Sequence, residues 1–339
     1  MPSLSVRTAI LLVNLGSPDE PEPSALRRYL AEFLWDPRVV DLPRLPWWLI
    51  LHGVILRTRP AKSAEKYARI WTDEGSPLKV HTEKQAKLLR GFLGARGRPE
   101  IDVSWAMRYG RPSIGGALDQ LVAQGFERVL VLPLYPQYAH STTASVMDAV
   151  AAWVAGSKSP MAVGVLPSFP EDEGYIGALA ASVRKHWQTQ GRAVDDDRFL
   201  LMSFHGIPRK VAQRGDPYPQ ECERTARRLA EVLGLRENQW RLTYQSRFGR
   251  AEWLQPYTQQ TLETLGAGGK KIVDVICPGF VSDCLETLEE IAMENKAAFL
   301  KAGGQEFHFI PCLNENPDWI ESLEKLVLKQ LSTASPAPS

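Results

Sequence analysis

Excess charge is missing from this sequence. Its 339 residues carry 40 Lys plus Arg against 39 Asp plus Glu, a formal net charge of +1. That balance excludes the basic footprint of a nucleic-acid-binding protein. Long apolar runs are missing too. No stretch reaches the roughly 18 apolar residues of a membrane-spanning helix. The first apolar run, residues 9–13, is too short for a secretory signal and meets a turn at Gly16-Ser17-Pro18. That turn lacks the spacing of G-x-G-x-x-G and of the Walker A loop, which argues against nucleotide binding. Cysteine is scarce. Cys222, Cys277, Cys284 and Cys312 are 55, 7 and 28 residues apart, neither a disulfide framework nor the close pairs of structural zinc and iron–sulfur sites. A reducing cytoplasm is the expected location.

What is present is an ordinary globular composition, 44% hydrophobic and 23% charged, in a chain long enough for about two domains. Short, nearly continuous apolar runs predict strands at residues 9–15, 101–107, 128–135, 161–167, 198–205, 240–246, 271–278 and 307–313. Runs of that kind suit strands buried on both faces of a parallel sheet. Helical periodicity lies between them, most clearly at 83–95 and at 221–234, where Gly234 marks a stop. Strand–helix alternation gives an α/β fold with parallel sheets flanked by helices.

The two halves echo each other. LLVNLGSP (11–18) resembles LLMSFHGIP (200–208), AMRYGRP (106–112) resembles QSRFGRA (245–251), and VLPLYPQ (131–137) loosely resembles VICPGF (275–280). Three pairs in the same order imply two similar doubly wound domains. The expected division is 1–180, completed by a C-terminal helix at 315–331, and 181–314, with a disordered tail at 332–339. The first half carries an insertion of roughly residues 20–80. Within it, residues 39–60 have Pro43 and Pro46 breaking regularity before a strongly apolar stretch at 47–56. That stretch reads either as a buried helix or as an exposed apolar lip for a flat, greasy ligand or a membrane surface.

Ligands of doubly wound sheets bind beyond the carboxyl ends of the strands. Asn14, Arg108, Tyr109, Tyr135, His140, His205, Arg247, Asp283, Cys284 and Glu286 fall there. His205 ends a strand at a sharp turn, where an imidazole serves as a base or metal ligand, or else hydrogen-bonds its own turn. After the strand ending near Pro278-Gly279, Ser282 or Asp283 is expected to cap a helix from about 285 to 300. On it Glu286, Glu290 and Glu294 recur at i, i+4, i+8 and form one stripe. Such a stripe is either a solvated acidic face or a path for protons or a hard divalent cation. A π-bulge would adjust its alignment. Cys277 reads as a small core residue.

LLVNLGSPDEP, IWTDEGSPL, LYPQYAHSTTAS, SFHGIP, RGDPYPQE and FVSDCLETLEE, in this order from about residue 8 to 325, resemble the ferrochelatases, and of these the bacterial protohaem type. The resemblance implies two Rossmann-like domains with an active-site cleft between them, and insertion of ferrous iron into protoporphyrin IX. It implies catalytic and metal-contacting roles for His205 and Glu286, with Glu290 and Glu294 as an acidic relay. Arg108 and Tyr109 match a pair on the opposite wall. Val40, Trp253 and Phe280 match apolar pocket residues, and Arg59, Tyr67 and Ser76 match polar groups near the porphyrin propionates. The 39–60 segment matches an apolar lip, hence peripheral membrane contact of a cytoplasmic enzyme. Cys284 stands where many relatives keep histidine, so its role stays open, as do those of Asp283 and His140. With His140 in the YxxST region and no cysteine-rich tail, no iron–sulfur cluster or other permanently bound cofactor is expected. Iron and porphyrin are the substrates. A coproporphyrin-specific enzyme, a cobalt or nickel chelatase and a porphyrin or haem carrier remain the alternatives. Leu15, where the coproporphyrin subgroup often has tyrosine, favours protoporphyrin.

Overall fold

The computed structural model describes residues 6–191, 199–249 and 251–333. The chain divides into two compact units. Of the described residues, the first holds 6–135, 139–168 and 320–333; the second holds 136–138, 169–191, 199–249 and 251–319.

In the first unit the apolar runs become β1 (Thr8–Gly16), β2 (Ile101–Tyr109), β3 (Arg128–Pro133) and β4 (Ala162–Val165). They form one sheet in the order β2-β1-β3-β4, every pair parallel. β1 is central, and its residues 8–14 are all buried, as expected of a strand covered on both faces. Leu11 and Val13 pack with Val131, Leu118 and Val146 in one core cluster. Fully burying each such side chain contributes about 1.5–3 kcal/mol.

The second unit repeats the plan. β5 (Leu200–His205), β6 (Trp240–Gln245), β7 (Ile272–Ile276) and β8 (Glu306–Ile310) pair in the order β6-β5-β7-β8, again all parallel. The strand order is the same as in the first unit, shifted by four strands, which is the structural counterpart of the sequence echo. Leu201, Val273, Val275, Ile291 and Phe299 form its core cluster. The predicted strand 198–205 begins one residue outside the described range, and the echo motif 245–251 spans Arg250, which also lies outside it. The predicted helix 221–234 is Tyr218–Leu233, and Gly234 ends it with φ 72°, the left-handed conformation that glycine adopts freely. The C-terminal helix is Pro317–Thr333. Of the expected tail, residues 334–339 lie outside the described range.

Between β1 and β2 the insertion folds into helices Pro23–Trp35, Arg44–Ile50, Leu56–Ile70 and Pro77–Ala95, with a π-helical turn at Leu51–Ile55. Pro43 and Pro46 do not break this structure. Pro43 is the N-cap and Pro46 falls in the first turn, where backbone N–H groups have no helical partner to lose. Pro60 does lie inside a helix. The Leu56 carbonyl, four residues before it and without an N–H from Pro60, accepts from Arg27 Nε at 2.8 Å. The segment is amphipathic. Trp47, Leu51 and Leu56 are buried, while Leu45, Trp48, Leu49, Ile50 and Val54 are exposed, Leu45 by 73%. One face is thus buried, as the core-helix reading expects, and the other is exposed. Among the described residues no helix is long and apolar enough to cross a membrane.

Candidate active site

His205 is the last residue of β5, paired in register with Gln245 of β6. Its Nδ1 lies 2.7 Å from the Gly206 carbonyl oxygen. A carbonyl can only accept, so Nδ1 is the donor here, and whenever the ring is neutral its lone pair is at Nε2. The bond to its own turn thus sets the tautomer that a base or metal ligand needs. Trp253 and Phe280 stand around the imidazole with ring centroids 6.4 and 6.5 Å away. Gly206 permits this packing: a Cβ there would meet Gln245 O at 2.9 Å and the Trp253 ring at 3.1 Å.

The acidic stripe lies on a helix of unexpected type. Residues 286–295 are π-helical, and only Lys296–Lys301 continue as α-helix. The helix expected from about 285 to 300 is therefore present, with the π geometry extending over ten of its residues rather than a single bulge. Asp283, one of the two residues expected to cap it, accepts at its carboxylate from the Thr287 hydroxyl (2.9 Å), the Cys312 N–H (3.3 Å) and the Asn314 amide (2.7 Å). Asp283 is therefore tied into a buried knot that anchors the segment's start. Side-chain amides also reach carbonyls of the segment. The Gln245 amide donates to the Glu286 carbonyl (2.8 Å), and the Asn295 amide donates to the Glu290 carbonyl (2.8 Å). Thr287, Ile291 and Asn295 face inward and are buried; Glu286 and Glu290 are half-buried and Glu294 is exposed.

Glu290 is gripped by one residue. Ser246 donates its N–H to Oε1 (2.7 Å) and its hydroxyl to Oε2 (2.5 Å). Burial pushes the Glu290 carboxyl above its usual range, with the Glu286 charge adding to the rise; the Ser246 bonds and nearby His205 oppose it. His205, Glu286 and Glu290 are thus electrostatically linked within this unit. Gln245 and Ser246 went unnoticed as site residues in the sequence, although the QSRFG echo pointed to their segment. All four cysteines are buried and free. Burial pushes the Cys284 thiol well up, with the Glu286 charge next in effect, so it remains S–H. Among the described residues no three His, Cys, Asp or Glu side chains are grouped to hold a metal ion.

The first unit carries a separate constellation. Asp36 Oδ2 accepts from Arg108 Nη2 (2.6 Å), the Tyr109 hydroxyl (2.7 Å) and the Ser145 hydroxyl (2.6 Å). Arg108 Nε also donates to the Ser145 hydroxyl oxygen (2.6 Å) and carbonyl (3.0 Å). Burial raises the Asp36 pKa, but bonds from Ser145, Tyr109 and the Arg38 N–H, with the Arg108 charge, outweigh it and hold the carboxyl below its usual range. Val40, half-buried, is tied to the same turn by its N–H to the Asp36 carbonyl (2.9 Å). Tyr67 and Ser76 are buried, and Arg59 is half-buried within Leu56–Ile70. His140, half-buried, opens the π turn His140–Ala144. Asp36 and Ser145 were not foreseen as site residues; both lie far in sequence from the Arg-Tyr pair they hold.

Two doubly wound units, with titratable groups at the carboxyl edge of the second, define a chelatase-type α/β protein. SirB from Bacillus subtilis, solved with Fe3+, shares this fold with a TM-score of 0.58 at 12% identity, covering 95% of both chains. A sirohydrochlorin chelatase SirB from Bacillus subtilis subspecies spizizenii, in complex with cobalt, matches at a TM-score of 0.52 and 12% identity over 97% of each chain. The ferrochelatase family model matches residues 7–331. The ferrochelatase of Polaromonas sp. is 58% identical over 98% of this chain and 89% of its own length. That of Aromatoleum aromaticum is 58% identical over 98% and 90%. The chain belongs to the ferrochelatase family. It is a metal chelatase of the lyase class, inserting iron into a porphyrin in haem synthesis.

Proposed function

We propose that the porphyrin is protoporphyrin IX, that His205 accepts its inner protons, and that Glu286 guides Fe²⁺ in and protons out. Inserting Fe²⁺ releases two N–H protons from the ring, so a base must stand at the ring nitrogens and a route must carry protons away. The observation that carries this reading is the His205 Nδ1–Gly206 bond, which leaves Nε2 as the acceptor. The acids support a route outward, since Glu286 and Glu290 are half-buried and Glu294 is exposed. Carboxylates suit a metal in transit, because thiolates would retain what must be handed to the porphyrin.

In this reading Trp253, Phe280 and Val40 contact the apolar ring. Arg108, Tyr109, Arg59, Tyr67 and Ser76 serve the ring edge and its propionates. The exposed apolar face around Leu45 and Trp48 receives the ring or touches a membrane surface of a cytoplasmic enzyme. Leu15 before the first turn favours protoporphyrin over coproporphyrin.

The test is metal-insertion turnover with protoporphyrin against coproporphyrin, followed by loss of free-base fluorescence. Faster turnover of coproporphyrin would overturn the substrate assignment. Porphyrin binding without fluorescence loss would indicate a carrier.

A further inference from the structure

We propose that Ser246 is a positioning residue for metal insertion, acting through Glu290. The inference rests on the reading above, in which Glu286, Glu290 and Glu294 handle iron and protons.

β6 ends at Gln245, and the next residue, Ser246, has φ 65°. Among the described residues only Ser246 and Asn314 are non-glycine residues with positive φ. A serine is strained there where glycine would not be. Such strain persists only where its surroundings hold it. At Ser246 this conformation sends both the N–H and the hydroxyl to one carboxylate, at 2.7 and 2.5 Å. Each oxygen of Glu290 has its own donor from a single residue.

The neighbouring residue extends the grip. Gln245 donates to the Glu286 carbonyl at 2.8 Å and reaches Glu290 Oε2 at 3.4 Å. Its own Oε1 accepts from the Ser203 hydroxyl at 2.8 Å, two residues before His205 on β5. Behind Glu290, the Asn295 amide holds its carbonyl. A dipeptide at the end of one strand therefore joins the histidine's strand to two of the three acids. A glutamate side chain has several rotatable bonds, and its ordering entropy must be met before it can hold a fixed place in a relay. Bonds to both oxygens meet it.

The test is a double-mutant cycle on the full chain, with kcat, porphyrin KM and thermal midpoint measured for each variant. Ser246→Gly removes the hydroxyl while keeping the N–H and easing the backbone. It should lower kcat on the order of tenfold, with porphyrin KM within about twofold and no lower thermal midpoint. Glu290→Gln should also be slow, and the double variant no slower than Glu290→Gln alone. Ser246→Asn, which tolerates the left-handed backbone and keeps a donor, should recover part of the rate. A Ser246→Gly enzyme at full rate beside a slow Glu290→Gln enzyme overturns the positioning role. So does a double variant whose losses multiply, or a rate loss that merely tracks lost folded protein. Full rate in Glu290→Gln overturns the acid-line reading itself, and this inference with it.

Discussion

Asp36 Oδ2 lies 2.6 Å from Nη2 of Arg108, with side-chain exposures of 6% and 19%. Seventy-two residues separate them in sequence. The same oxygen takes the Tyr109 and Ser145 hydroxyls, so one atom anchors a loop after the first helix to the end of β2 and to the start of helix Ser145–Gly156. Replacing Asp36 with Asn leaves the guanidinium without its counter-charge. The expected cost is about 3 kcal/mol of unfolding free energy, as for other broken buried pairs, read from denaturant melts. Because Arg108 is the proposed wall of the porphyrin slot, porphyrin binding should weaken as well. Unchanged stability in Asp36→Asn would show that the pair is energetically neutral.

Two buried carboxyls set the acid limb of stability. Asp36 is held low as described, and Asp274 is held low too. For Asp274, burial raises the pKa, while the neighbouring His186 imidazole, the bond from Trp187 and the charge of His308 outweigh it. Trp187 Nε1 donates to Oδ2 at 2.8 Å, and His186 Nε2 lies 3.6 Å from Oδ1. A carboxyl with a lowered folded pKa stabilises the fold above its unfolded value of about 3.9. That stability is lost as pH falls through the lower folded value. The thermal midpoint should therefore drop below about pH 4, and less steeply in Asp274→Asn, whose amide does not titrate. Parallel profiles for the two proteins would remove Asp274 from the explanation.

Gly16 should not tolerate a side chain. It closes β1 with φ 115°, and a Cβ would sit 1.9 Å from the Tyr109 carbonyl oxygen. Gly16-Ser17-Pro18 is thus a close approach of β1 to β2, which fits the missing phosphate-loop spacing. Gly16→Ala should cost more than about 4 kcal/mol, in the range reserved for forced backbone displacement. Urea unfolding or the yield of folded protein measures this directly.

His205→Ala and Glu286→Gln should each reduce metal insertion by about 10²–10⁴-fold, the range of a lost acid–base group. Both side chains are only half-buried, so the thermal midpoint should move little. Fluorescence titration should still show porphyrin bound. Turnover close to that of the unaltered protein in either variant removes that residue from the mechanism.

Much of this protein was legible from its residues in order. Eight apolar runs became eight parallel strands; the central ones, such as β1, are apolar throughout because they are covered on both faces, whereas β4 at its sheet's edge has no buried residue. The three echoed motifs matched a repeated strand order. His205 was marked by its place at a strand end, and the glutamates by their spacing.

What the order of residues could not decide was set by groups far apart in the chain. The sequence pattern indicated a helix from about 285 to 300 but not how far its π geometry runs; the π segment over 286–295 takes side-chain amides from Gln245 and Asn295 and a knot at Asp283. Helical periodicity is a local signal, whereas Gln245 lies 41 residues from the carbonyl it holds. The grip of Ser246 on Glu290, and of Asp36 on Arg108 and Tyr109, are likewise relations between distant residues. The sequence by itself determined the strands, the repeat and the chemical groups at the strand ends. Only the tertiary structure decided the extent of the π geometry and which polar atoms hold each charge, because those depend on donors brought close by folding.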